Sequence, residues 1–163
     1  MRIIGIDPGL TGAVAFIDGE DAGVADMPTG PFFKTGFVKR AVRARSLREI
    51  LQGLAGDGER VPAVIERVHA GGGQGASSVF SLGMSFGIAL AAIDAVPALE
   101  LVMVEPGTWK KHFGLPRDKS ASIAKAVSLW PALEEDFLAR KKDHNRAEAL
   151  LLARWFQGTS AWT

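Results

Sequence analysis

Apolar and polar positions change period several times along this chain, and each change marks an element. Arg2 to Asp7 (RIIGID) is a β-branched run closed by Pro8-Gly9, and Gly12 to Ile17 (GAVAFI) resumes the apolar character before Asp18-Gly19. This pattern predicts a strand, a tight turn and a second strand. A third, weaker strand is expected from Gly23 to Met27, after which Pro28, Gly30 and Pro31 break the pattern. Three consecutive strands joined by short turns form an antiparallel meander. Leu47, Ile50, Leu51 and Leu54 then recur at helical spacing, with Gly53, Gly56 and Gly58 ending the run.

Pro62 to Glu66 (PAVIE) reads as a short buried strand, and Gly71-Gly72-Gly73-Gln74-Gly75 as a loop. Ser77 or Ser78 is placed to cap a helix running to about Ala95. Within it Gly83, Gly87 and Ala91 recur every four residues, a smooth stripe suited either to a helix-on-sheet contact or to a subunit interface. Leu99 to Val104 (LELVMV) is another strand, and Lys119 to Leu129 and Arg146 to Phe156 are helices. A meander followed by alternating helices and strands predicts an α/β fold, a mixed sheet with helices on both faces.

Composition narrows the class. The chain has 163 residues, of which 47% are hydrophobic, enough for one substantial core and for a single domain spanning 1–163. The absence of cysteine excludes a disulfide framework and any thiolate metal site, and fits a reducing compartment. The apolar stretch Val79 to Ile93 falls short of the roughly 20 residues that cross a bilayer. Asp7 interrupts the N-terminus where a signal peptide would stay apolar. The expectation is a cytoplasmic chain without membrane contact.

Charge is sorted along the sequence rather than absent, although 19 Lys+Arg nearly balance 18 Asp+Glu. Lys34, Lys39, Arg40, Arg43, Arg45 and Arg48 follow one another with no acid among them. A second basic stretch holds Lys110, Lys111, His112, Arg117, Lys119 and Lys125, and a third Arg140, Lys141, Lys142 and Arg146. Each run alone suits a solvated face; three of them suggest a polyanionic partner.

Two predicted strands end in a carboxylate, Asp7 after Ile3-Ile4-Gly5-Ile6 and Glu66 after Ala63-Val64-Ile65. A strand-end acid by itself is often bonded to a loop or paired with a lysine. Side by side, however, the two would raise each other's pKa unless a cation intervened, and oxygen ligands suit Mg2+ or Mn2+ rather than zinc. A third cluster, Asp143-His144-Asn145-Arg146-Ala147-Glu148, opens the last helix. Asn145 as N-cap with Glu148 three residues on also matches a capping box.

Ile4-Gly5-Ile6-Asp7-Pro8-Gly9-Leu10-Thr11-Gly12, Val64-Ile65-Glu66-Arg67-Val68 and Arg146-Ala147-Glu148-Ala149-Leu150-Leu151 together resemble the motifs of RuvC-type Holliday junction resolvases, particularly phage-encoded members. The resemblance spans nearly the whole chain. It implies a ribonuclease H-like fold, a homodimer, and Mg2+-dependent cleavage of branched DNA such as a four-way junction, with Mn2+ as a substitute. By this resemblance Asp7, Glu66, Asp143 and Glu148 are the metal ligands and catalytic carboxylates. Glu148 stands where the family more usually has Asp, and Asn145 where it commonly has Asp or His. Lys110 and Lys119 resemble the two basic positions near the scissile phosphate, Lys119 adding charge at its non-bridging oxygens. His69 takes the place of an aromatic that stacks on a junction base. Lys34, Lys39, Arg40, Arg43, Arg45, Gln74 and Lys111 complete the expected DNA contacts.

The final cluster poses a geometric choice. Asp143 and Glu148 are five residues apart, about 500° of helix rotation, so in one continuous helix they diverge by roughly 140°. Asp143 can join Glu148 only from a loop folded over the helix N-terminus; if the helix starts earlier, His144 shares the Glu148 face instead. Two other functions remain in view. A branched-DNA-binding protein that does not cut needs only the basic patches. An actin-like ATPase would use Asp7 to Gly12 as a phosphate loop, but needs two such domains.

Overall fold

The computed structural model describes residues 1–32, 40–56, 60–69, 73, 75–116 and 118–159. Its frame is a five-stranded mixed sheet. The meander comprises β1 (Arg2–Asp7), β2 (Ala13–Asp18) and β3 (Asp21–Asp26), antiparallel throughout. A hairpin of β4 (Thr29–Pro31) and β5 (Arg40–Val42) follows, then α1 (Ala44–Ala55) and β6 (Val61–Glu66). β6 lies parallel to β1 on one side and to β7 (Leu99–Val104) on the other. Helix α2 (Ala76–Asp94) connects those two strands, and α3 (Pro106–His112), α4 (Ser120–Leu129), α5 (Glu134–Phe137) and α6 (His144–Gly158) complete the chain.

Strand alternation sorts the interior into two cores, one on each face of the sheet. Ile4 and Ile6 of β1 and Ala63 and Ile65 of β6 pack with α1 and α2. Ile3 and Val64 face the other way, against the side chains of α6, with Trp109 of α3 and Ala126 of α4 in the same cluster. The ribonuclease H-like arrangement expected from the motifs, a mixed sheet with a three-strand meander and helices on both faces, is the fold observed.

The differences lie in short or ambiguous elements. The hairpin β4–β5 forms where Pro28, Gly30 and Pro31 suggested only a break, because three residues per strand suffice for a rung pattern closed by Arg43 N–H to the Pro28 carbonyl at 2.8 Å. Helix α3 is too short to show periodicity in sequence. Helix α2 begins after Gly75 rather than at a serine cap. It runs for 19 residues with a mean hydropathy of 1.8, so by length and composition it reaches what a membrane span needs. Here it lies on the sheet through Ser85, Ala89, Ala92 and Ile93. Gly83, Gly87 and Ala91 point outward, and a Cβ added at either glycine meets nothing within 4 Å. The stripe is therefore not the helix-on-sheet contact.

Candidate active site

Register and alternation together bring the strand-end carboxylates into one place. Gly5 pairs with Val64 and Ile6 with Ile65 across the parallel β1–β6 ladder, so Asp7 and Glu66 occupy the next row. Asp7 shares the strand face of Ile3 and Gly5, and Glu66 that of Val64; both therefore face α6. Helix α6 approaches that face closely because Gly5 has no side chain: a Cβ there would lie 2.0 Å from the Ala149 carbonyl oxygen. Glu148, one residue earlier on the same helix, is thereby carried to the carboxylate pair.

The electrostatics record this crowding. Burial, then the charges of Glu148 and Glu66, push the Asp7 carboxyl up to about 7, against the partial relief of Lys110 and Lys119. Glu66 is also raised, chiefly by burial, with a hydrogen bond from the Trp109 indole opposing the shift.

Helix α3 supplies two adjacent residues to this cluster, and only the second was expected. Trp109 is fully buried and donates its indole N–H to Glu66 Oε2 at 2.7 Å. Lys110 Nζ lies 3.2 Å from Glu148 Oε1 and 5.0 Å from the centre of the Trp109 ring. The Ser122 hydroxyl of α4 donates to the same Glu148 oxygen at 3.3 Å. Neither Trp109 nor Ser122 stood out in sequence. A buried tryptophan next to a lysine reads as core, and the one available signal was the Trp109-Lys110 pair following a strand end.

Lys119 comes from the start of α4, and its Nζ lies 3.2 Å from His144 Nε2. The other ring nitrogen, Nδ1, lies 3.2 Å from the Lys141 carbonyl. A carbonyl only accepts, so Nδ1 carries the proton and Nε2 accepts from the ammonium group.

Asp143 is engaged by arginines. Helix α6 starts at His144, and Asp143, its N-cap, ends the 3-10 turn Lys141–Asp143. It is buried, with Arg140 bonded to both of its oxygens at 2.8–3.2 Å and Arg146 3.8 Å away. Burial raises its pKa, yet the Arg140 hydrogen bonds outweigh that and hold it below the ordinary range. Two guanidinium groups satisfy the charge that the metal-ligand assignment needed to be free. Asn145 forms no capping box; its amide donates to the Thr11 carbonyl at 2.5 Å and ties α6 to the β1–β2 turn. With the helix starting early, His144 takes the Glu148 face, four residues before it.

Among the described residues, no three acidic or histidine side chains are drawn together into a finished cation site. Glu66 and Glu148 are instead engaged by Trp109 and Lys110. The donor chemistry nevertheless fits a hard divalent cation. The cluster offers carboxylate oxygens without sulfur, and a cation there would relieve the repulsion that raises Asp7.

The expected DNA contacts separate into several groups. Lys34, Lys39 and Gln74 lie outside the described residues, as does Arg117. Arg45 and Lys111 are exposed. Arg40 bonds Thr29 Oγ1 at 2.7 Å, and Arg43 bonds the Pro31 carbonyl at 2.8 Å, so both brace the hairpin. His69 is held at 2.7 Å by Glu105, which also binds Arg67 at 3.1 Å. A cleft of about 360 Å³ passes Thr11, Asp26, Thr29, Arg140, His144 and Asn145, at the N-terminal end of α6.

No family model matches the chain. A 52-residue segment, 31% of the chain, is 44% identical to the chloroplastic Holliday junction resolvase MOC1 of Chlamydomonas reinhardtii; the segment corresponds to 6% of that protein's length. Among solved structures, RuvC of Thermus thermophilus in complex with a Holliday junction substrate aligns with a TM-score of 0.59 at 15% identity. That alignment covers 95% of this chain and 91% of the other. A second Thermus thermophilus RuvC structure aligns with a TM-score of 0.54 over 95% and 92% of the two chains. The chain therefore has the RuvC fold.

Proposed function

We propose that this protein is a divalent-metal-dependent endonuclease that resolves four-way DNA junctions by hydrolysing phosphodiester bonds. The observation that carries the proposal is the meeting of Asp7, Glu66 and Glu148, from three different elements, with Lys110 and Lys119 at one end of the sheet. The likeness to RuvC and the MOC1 segment support the substrate class.

Asp7, Glu66 and Glu148 are the residues that would hold Mg2+ or Mn2+; bound there, the cation supplies an activated water and neutralises charge on the phosphorus centre. The chain's own groups do the rest. The site needs several carboxylates close together, and Lys110 holds Glu148 in place at 3.2 Å. Lys119 offers its ammonium charge to the non-bridging phosphate oxygens, where charge grows in the transition state. His144 aims it by accepting one of its protons and leaving the others for the phosphate. The substrate strand enters along the cleft past Thr11 and Thr29, and exposed cations, among them Arg45 and Lys111, follow the DNA arms.

Symmetric resolution requires two sites related by a two-fold axis, which an isologous dimer provides. The apolar surface for it is the outer face of α2 with the edge strand β7. Phe80 of α2 is 64% exposed, and Leu101 and Met103 of β7 are 42% and 44% exposed. Gly83 and Gly87 keep the helix surface low enough for a second backbone to approach.

The test is a labelled four-way junction incubated with the protein in Mg2+, in Mn2+ and in EDTA. Paired nicks at symmetric positions, absent in EDTA, are expected. Tight junction binding without nicks in either metal would overturn the proposal in favour of a protein that binds branched DNA without cutting it.

A further inference from the structure

We propose that Trp109 is a positioning residue for Glu66: its indole N–H fixes which carboxylate oxygen is committed to the protein and which is presented to a bound divalent cation. The inference rests on the metal-site reading above and adds a residue to it. Trp109 stands at the end of β6, where Glu66 emerges, and donates to Glu66 Oε2 at 2.7 Å. Its ring is fully buried in the core shared by α3, α4 and α6, so the donor is held by packing rather than by a flexible stem.

A buried indole N–H needs an acceptor, and a backbone carbonyl would satisfy it. Here the acceptor is a candidate ligand, and the chemistry of the donor matters. Lys110, the next residue, holds Glu148 with a positive charge that competes directly with a metal ion. The indole is neutral. It restrains Glu66 while leaving the carboxylate's charge intact and Oε1 free, and even Oε2 retains acceptor capacity, because an ionised carboxylate has about four lone-pair sites. A donor of this kind lowers the cost of arranging the ligand without contesting the cation, as outer hydrogen bonds to metal ligands do elsewhere. Helix α3 thus treats the two glutamates differently: Glu66 is held in readiness, and Glu148 is held by a group that must give way.

The test measures Mn2+ affinity by titration calorimetry of the full chain without DNA. Alongside it run junction affinity in EDTA and the thermal melt. Trp109→Phe keeps an apolar ring and removes the donor. Replacement of Trp109 by 3-benzothienylalanine keeps the bicyclic shape and substitutes sulfur for the N–H; it decides the question if the phenylalanine variant does not fold. Both replacements are expected to weaken Mn2+ binding by about 10- to 100-fold, with junction affinity in EDTA within twofold of the parent. Mn2+ affinity within twofold of the parent in the benzothienyl protein would overturn the inference and leave Trp109 as core packing. The parent protein reads the metal site itself: if it binds no Mn2+, the metal reading fails and Trp109 has no ligand to position.

Discussion

Replacing Gly5 by alanine adds one methyl group, and the structure gives it no room. The new Cβ would lie 2.0 Å from the Ala149 carbonyl oxygen and 3.0 Å from the Ala153 amide nitrogen. Both are backbone atoms of α6, so no side-chain rotation relieves the clash. Carbon and oxygen essentially never approach within 3.0 Å in such contacts, so the helix must withdraw from β1 by at least about 1 Å, or β1 must bow away from it. Overpacking of this kind costs about 1–3 kcal/mol, which for a chain of this size lowers Tm by roughly 2–12 °C. The same retreat draws Glu148 away from Asp7 and Glu66, and a misplacement of about 1 Å costs on the order of 100-fold in rate. The assay pairs a thermal melt with single-turnover junction cleavage well below the variant's Tm. Gly53→Ala is the control: Gly53 is exposed in the last turns of α1 with nothing within 4 Å of an added Cβ. That change should be neutral or stabilise by up to about 1 kcal/mol, with no loss of rate. A Gly5→Ala protein that melts within a degree of the parent and cuts as fast would refute the claim that this contact sets the position of α6.

Other outcomes follow from the geometry. Glu148→Gln should cost several orders of magnitude in cleavage rate, and His144→Ala should slow cleavage. Asp143→Asn should lower stability by about 1–3 kcal/mol while cutting within tenfold of the parent; an inactive but fully stable Asp143→Asn protein would restore that residue to the site. Asp26, chiefly through its hydrogen bonds from Arg146, and Asp143 have folded pKa values below 3.8, so the stability they confer is present above that pH and is lost as pH falls through the depressed values. Arg146→Met should therefore flatten the fall in Tm between pH 5 and pH 2, and an unchanged pH profile would count against the network. Gly87→Leu should convert the protein to a monomer in sedimentation at micromolar concentration, whereas a persistent dimer would place the interface elsewhere. For Lys119→Ala and Arg45→Ala, the slope of log affinity for junction DNA against log salt should each fall by roughly 1; unaltered slopes would return those residues to solvent.

The fold was readable from sequence wherever an element was long or strongly periodic. β1 and β6 each combine a run of branched residues with a terminal acid, and that unusual pairing disclosed Asp7 and Glu66. Seven-residue α3 offered no period to detect, and Trp109 looked like core because it is core; its hydrogen bond depends on a strand 43 residues earlier. The start of α6 was misread because Asn145 and Glu148 have the spacing of a capping box. The competing influence was tertiary: Thr11 takes the Asn145 amide, while Arg140 and Arg146 take Asp143. Sequence distance does not show which cation an acid will find. It did frame the choice between Asp143 and His144, and the helix start at His144 puts the histidine on the Glu148 face.

The sheet separates two kinds of surface. Asp7 and Glu66 lie on its α6 face, and the small outward residues of α2 lie beyond the opposite face, with a full layer of β-structure between them. Changes in one surface therefore need not pass through the other, and the two can be varied as independent modules. A library confined to the outward positions of α2 could be selected for chains that pair with a different partner while each keeps its own carboxylates intact. Pairing one such chain with a partner carrying Asp7→Asn would yield an assembly with one working centre, and the junction-resolving endonuclease proposed above would become a strand-selective nicking tool.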